Sequence, residues 1–239
     1  RNFSPCSDAR AGFPVNFSSH MRIDRSGYPF VFGALIPAIA LVALGYGLWS
    51  LPFFVLGAFF LFFFRDPDRV IRAGAGLVLS PADGRVLVAG PSDPHVAPPG
   101  AWQQISIFLS PMDVHVNRVP ASGRVTKVDY KPGKFLPAYH HDATQNERTE
   151  IWLDAGGRTI VFRQVVGMLA RRIVCRIEPG QQVSAGDRFG VMKFGSRMDV
   201  FVPLDATLRV QEGDVVTAGD TVLAELASGA DRAKDADGR

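Results

Sequence analysis

Gly195-Ser196 is a pair through which the chain could cut itself. Glycine leaves its carbonyl sterically open and tolerates strained backbone angles, and the hydroxyl of the next residue can attack that carbonyl and turn an amide into an ester. A bare Gly-Ser is equally an ordinary turn. Just before it, Met192-Lys193-Phe194 offers a second chemistry, a lysine amine set between large apolar neighbours. His140, His141 and Asp142 are metal-ligating types. Adjacent side chains on an extended chain point to opposite faces, so a solvated loop and no metal are expected there. Cys6 and Cys175 lie far apart in the chain and read as free thiols of a reducing compartment.

The elements that must hold these residues read as β. Short β-branched runs closed by Gly, Pro and Asp recur at Gly84-Arg85-Val86-Leu87-Val88, Gln104-Ile105-Ser106-Ile107-Phe108-Leu109, Gly123-Arg124-Val125-Thr126-Lys127-Val128 and Thr159-Ile160-Val161-Phe162. Two internal echoes accompany them. Pro81-Ala82-Asp83-Gly84-Arg85-Val86 returns as Pro120-Ala121-Ser122-Gly123-Arg124-Val125, and Gly180-Gln181-Gln182-Val183-Ser184-Ala185-Gly186-Asp187 returns as Gly213-Asp214-Val215-Val216-Thr217-Ala218-Gly219-Asp220. Such G-x-x-V-x-x-G-D units are common in flattened β-sandwiches or barrels related to lipoyl and biotinyl-type folds, which is the fold expected for 65–226. In that fold Met192-Lys193-Phe194 approximates a biotin-bearing hairpin. A membrane-tethered carrier or adaptor domain using Lys193 is therefore the alternative reading.

The composition is split in two. Of 239 residues 47% are apolar, yet no Asp, Glu, Lys or Arg occurs from Ser26 to Phe64, a stretch holding half of the Phe residues. A single membrane helix needs about 20 apolar residues, so 26–64 reads as a hydrophobic helical hairpin, broken near Gly45, Gly47 and Trp49-Ser50-Leu51-Pro52. Arg22 and Arg25 precede it and Arg65, Arg69 and Arg72 follow it, which marks both ends as cytoplasmic. Residues 1–25 form a polar N-terminal segment carrying most of the +3 formal charge; the remainder leaves no basic patch for nucleic acid. Residues 227–239 are small and charged and are expected to be a disordered tail.

Six further segments share an order. They are Phe64-Arg65-Asp66-Pro67, Ser80-Pro81-Ala82-Asp83-Gly84, Ser110-Pro111-Met112-Asp113-Val114-His115-Val116-Asn117-Arg118, Asn146-Glu147-Arg148, Gln164-Val165-Val166-Gly167 with Ala170-Arg171-Arg172, and Lys193-Phe194-Gly195-Ser196. From about Met21 to Leu226 the chain resembles phosphatidylserine decarboxylases in their short bacterial form.

The resemblance implies a proenzyme that cuts itself between Gly195 and Ser196, giving a heterodimer of a large chain (1–195) and a small chain (196–239) that could further homo-oligomerise. Ser196 becomes a covalent pyruvoyl group, the cofactor. Its ketone takes the amine of phosphatidylserine as a Schiff base and accepts the electrons released with CO2, leaving phosphatidylethanolamine. The resemblance assigns Asp83 and His115 to catalysis with Ser196 and points to Arg148, Gly167, Arg171 and Arg172 for substrate. Lys131 and Lys134 read as surface charge. Longer bacterial relatives carry a second histidine where this chain has Arg118, which leaves the base for self-cleavage open. The partners implied are phosphatidylserine and membrane lipids, at the cytoplasmic face of the cell membrane.

Overall fold

The computed structural model describes residues 21–72, 74–136, 145–167, 173–193 and 196–227. The expectations placed on 1–20, His140, His141, Asp142, Arg171, Arg172, Gly195 and 228–239 lie outside them.

Two apolar helices open the fold, α1 at Tyr28–Ala43 and α2 at Gly47–Phe63. The break between them falls at the Gly45 end of the stretch expected for it and is tighter. Gly45 adopts φ +84°, its N–H donates to Val42 O, and the Tyr46 N–H reaches back to Leu41 O, a Schellman ending that a left-handed glycine makes cheap. Trp49, Ser50, Leu51 and Pro52, expected as breakers, sit inside α2, and Pro37 sits inside α1. With the short 3₁₀ turn before it, α1 forms a 19-residue apolar stretch, Arg25–Ala43, long enough to cross a membrane; at 1.5 Å per residue that is about 28 Å. Phe32, Ile36, Ile39, Leu48, Trp49 and Val55 are exposed along the hairpin.

The rest is mainly β, as expected. One antiparallel sheet of eight strands runs in the spatial order Gln182–Val183, Gly123–Lys131, Arg148–Asp154, Thr159–Val166, Ser196–Pro203, Trp102–Leu109, Gly84–Pro91 and Val215–Val216. Two three-stranded sheets flank it: Ile173–Cys175, Arg188–Met192 and Val116–Arg118, and Thr207–Leu208, Val222–Glu225 and Leu77–Leu79. The core lies on one face of the large sheet, built from alternate residues such as Ile105, Ile107, Ile151, Leu153, Ile160, Phe162, Met198 and Val200. Met21–Ile23 pairs with Arg65–Pro67 and clasps the two ends of the hairpin.

The sequence echoes are two copies of one interlock. Val86 donates to Asp214 O and accepts from the Gly213 N–H, while Val125 donates to Gln181 O and accepts from the Gly180 N–H. The turn acceptors match too: Asp83 Oδ1 takes the Ala218 N–H at 2.8 Å, and Ser122 Oγ takes the Ala185 N–H at 2.9 Å. The glycine of each Pro-Ala-x-Gly turn is forced by contact. A Cβ on Gly123 would stand 2.2 Å from Asp154 O, and one on Gly84 2.1 Å from Phe108 O.

Because Gly123 faces backbone that cannot rotate away, Gly123→Ala is expected to destabilise the domain by about 3 kcal/mol, measured as a lowered denaturant midpoint. An unchanged midpoint would show that this turn can shift without cost.

Candidate active site

Ser196 is the first residue of a strand gripped on both sides. It lies opposite Leu109 on one neighbour and Val166 on the other, and residues directly opposite in an antiparallel pair share a face. Ser196 therefore points to the core side with Val166, Gln164 and Met198, and it is fully buried. Its Oγ has no hydrogen-bond partner.

His115 is the complementary group. Its ring is buried, Nδ1 lies 2.9 Å from Asp113 O, and Nε2 has no partner. A carbonyl only accepts, so Nδ1 carries the hydrogen and Nε2 presents a lone pair. Burial pushes the pKa down to about 4, against the Asp113 carbonyl, which favours the protonated ring; the nearby Arg65 charge adds to the lowering. The ring is neutral at pH 7, the state a general base requires. Asp113 is fixed in turn by the Ser110 N–H on its Oδ2 at 2.7 Å.

A buried amide pair joins the two neighbourhoods. Gln164 Nε2 donates to Asn117 Oδ1 at 2.9 Å, leaving Asn117 Nδ2 and Gln164 Oε1 buried without partners. Gln164 is two residues from Val166, opposite Ser196, a step that preserves the face of a strand; Asn117 is two residues from His115, which immediately precedes the strand Val116–Arg118. The Met192 N–H meets His115 O at 3.3 Å. Four residues on is Ser196, within about 14 Å by chain length alone. Ser196 Oγ and His115 Nε2 are not bonded to each other here, since each stands alone. A buried donor, a buried acceptor and two spare amide atoms give this region the means to move a proton and hold a polar substrate.

The other expected residues separate. Asp83 does not touch His115: its Oδ2 pairs with Arg69 at 2.6 Å and its Oδ1 caps the Ala218 turn. Its charge is nonetheless felt at Arg65 and Asp113, the neighbours of the histidine. Arg118 is buried in a different knot, donating to Gly186 O, Asp66 Oδ1 and Pro67 O. Arg148 lies opposite Val165, on the sheet face away from Ser196. Gly167 is buried directly after the strand Thr159–Val166. Lys193 turns its amine to the Phe30 ring, 4.7 Å from the centroid, rather than outward as a carrier lysine would. Among the described residues no three His, Cys, Asp or Glu side chains gather as a metal site. The Cys175 thiol is free and pushed up by burial.

Three contributors had no chemical signature in the sequence. Phe63, the last residue of α2, places its ring 4.1 Å from that of His115. Arg65 donates to Phe62 O at 2.8 Å and to Met112 O at 2.6 Å, strapping the end of α2 to the loop before His115. Asn146 bonds Val166 O and both backbone groups of Leu136, bracing the strand beside Ser196. Arg65 and Asn146 do sit in the ordered motifs; Phe63 does not.

A profile of the phosphatidylserine decarboxylase family matches residues 56–224. The phosphatidylserine decarboxylase proenzyme of Nitrosomonas europaea is 42% identical over 210 residues, covering 87% of this chain and 96% of the relative. That of Geotalea daltonii is 43% identical over 209 residues, 86% and 97% of the two chains. That of Chlorobaculum tepidum is 48% identical over 168 residues, 70% and 77%.

Two outcomes follow from this geometry. Between pH 4 and 6.5 the unfolded ring of His115 binds a proton that the folded ring does not, so stability rises with pH across that window, by about 3 kcal/mol from this group. Denaturant titrations at pH 4.5 and 7.5 are expected to show that gain, reduced in His115→Gln; equal slopes in both chains would contradict it. Arg118→His, which strips buried Asp66 of one partner, is expected to cost about 3 kcal/mol, read as a lower unfolding midpoint.

Proposed function

The chain belongs to the phosphatidylserine decarboxylase family and is a carboxy-lyase, and from that membership we propose that it makes its own pyruvoyl cofactor at Ser196 and acts on phosphatidylserine at a membrane. The observation that carries this is a buried pair of chemical opposites, each without a partner: Ser196 Oγ, a donor without an acceptor, and His115 Nε2, an acceptor without a donor. His115 takes the hydroxyl proton as Ser196 Oγ adds to the Gly195 carbonyl, and the amide becomes an ester. Loss of the Cα proton of residue 196 then expels the Gly195 carboxylate, and water releases the nitrogen as ammonia, leaving a ketone at the head of 196–239.

The residues present suit such a group. Ser196 is buried among Val166, Gln164 and Met198, and Asn117 Nδ2 and Gln164 Oε1 remain available to a polar neighbour. When formed, the group supplies a conjugated carbonyl that accepts the electron pair left as a carboxylate departs. His115, held neutral by burial and oriented by the Asp113 carbonyl, is the base at hand for proton movement there as well. Asp83 is assigned to holding Arg65 through its charge, which also bears on Asp113 as a like charge. Gly167, with Arg171 and Arg172 after it, is assigned to the lipid head group. The two chains stay together as a heterodimer because Ser196–Pro203 is hydrogen-bonded to a strand on each side. Both ends of the hairpin face the cytoplasm in this reading.

Purified protein run on a denaturing gel is expected to show two chains, the smaller one 196–239 with a blocked, pyruvoyl N-terminus by mass spectrometry. Ser196→Ala is expected to stay whole and release no CO2 from phosphatidylserine. An intact wild-type chain, or decarboxylation by uncut Ser196→Ala, would overturn the reading.

A further inference from the structure

We propose that the end of the apolar hairpin is a wall of the active site, with Phe63 as the residue that positions His115, so that the seating of the hairpin decides when the histidine can act. This rests on the reading of His115 as the base. Phe63 and Phe64 are fully buried and cluster with Val114, Val116 and Val191, the residues that flank His115 in sequence and across the sheet. The Phe63 and His115 rings lie at 31° to each other with centroids 4.1 Å apart, closer than most aromatic pairs. One edge of the imidazole is fixed by Asp113 O. The ring face is covered by Phe63. What remains open is Nε2.

The mount is built from outside the hairpin as well. Arg65 closes the carboxyl end of α2 by taking Phe62 O and holds the His115 loop through Met112 O. At the other end of the hairpin Asp24 is gripped by both terminal nitrogens of Arg176, at 2.9 and 2.7 Å. The charged groups around the histidine are Arg65 beyond α2, Asp113 on its own loop with Asp83 acting on both, and Lys193 after the strand Arg188–Met192. None of them bonds the ring, so the dry Phe63 face is the feature of its surroundings that a side-chain change can alter most directly. Without that face, water reaches the ring and the proton is bound more readily.

Two measurements test this on the full chain in lipid nanodiscs. The first is NMR titration of His115 in an uncut Ser196→Ala chain, with and without Phe63→Ala. The second is the pH dependence of self-cleavage in Phe63→Ala. The truncation is expected to raise the His115 midpoint by at least one pH unit and to move the acid limb of cleavage upward equally. Phe63→Leu, which keeps the face drier than alanine does but loses the ring, is expected to move both measurably, by less than half as much. An unmoved midpoint in folded Phe63→Ala overturns the proposal, as does a moved midpoint with an unmoved acid limb. If Phe63→Ala fails to fold, Phe63→Leu decides alone: a midpoint and limb both identical to the parent overturn it. A parent chain that never cuts sinks the proposed function, while the titration still reads the wall.

Discussion

The double grip on the strand Ser196–Pro203 is the constraint from which the site follows. All eight of its residues are paired to Trp102–Leu109, and six of them also to Thr159–Val166. The residues just inside its start are fastened again on the far face, where Arg197 pairs with Asp199 and Asp199 accepts from Ser106, all buried. A strand held this way does not need the peptide bond before it to stay in register. Ser196 can thus be a reacting residue and a structural one at once. Its face is dictated as well, since the alternation that puts Met198 and Val200 in the core puts Ser196 there too. The same parity sends Arg197 and Arg148 to the opposite side.

The duplicated interlock separates what the fold asks of Asp83 from what it does not. At the matching position Ser122 caps its turn with an uncharged hydroxyl, at nearly the same length. The fold therefore requires only an acceptor there. The negative charge of Asp83 is additional, and it is spent on Arg69 directly and on Arg65 and Asp113 through space. The charge thus does more than cap the turn: it pairs with Arg69 and bears on the two residues next to the buried histidine.

The parts legible in the sequence are those written locally. Period-two runs and Gly-bounded echoes announced the β domain, and the uncharged stretch from Ser26 to Phe64 announced the hairpin. Its break falls at Gly45, one of the residues expected there, and not at Pro52: a proline in an apolar helix looks like a stop, whereas the helix Gly47–Phe63 contains it and the left-handed glycine does the turning. His115 and Ser196 came from a resemblance, and their types alone were ambiguous. The partners of His115 were out of reach for a different reason: one is a backbone carbonyl, which carries no residue identity, and the other is a phenylalanine from the far side of 51 intervening residues in the chain. The side on which Arg148 falls depends on strand register, where one residue of slip reverses every face.

A hairpin that served only as a tether would need no more than its two covalent ends. Here it is bolted to the domain by the Met21–Ile23 and Arg65–Pro67 ribbon, by Asp24 with Arg176, by Arg65 and by the Phe63 cluster. A rigid mount fixes height. If the stretch Arg25–Ala43 crosses the hydrocarbon with its roughly 28 Å, against a thickness of about 30 Å, the base of the hairpin rests at the level of the lipid head groups. That base is where Phe63 meets His115. On that reading the fold sets the reactive region at the depth where a phospholipid carries its polar end, and the bond that must react need not be drawn through water to reach it.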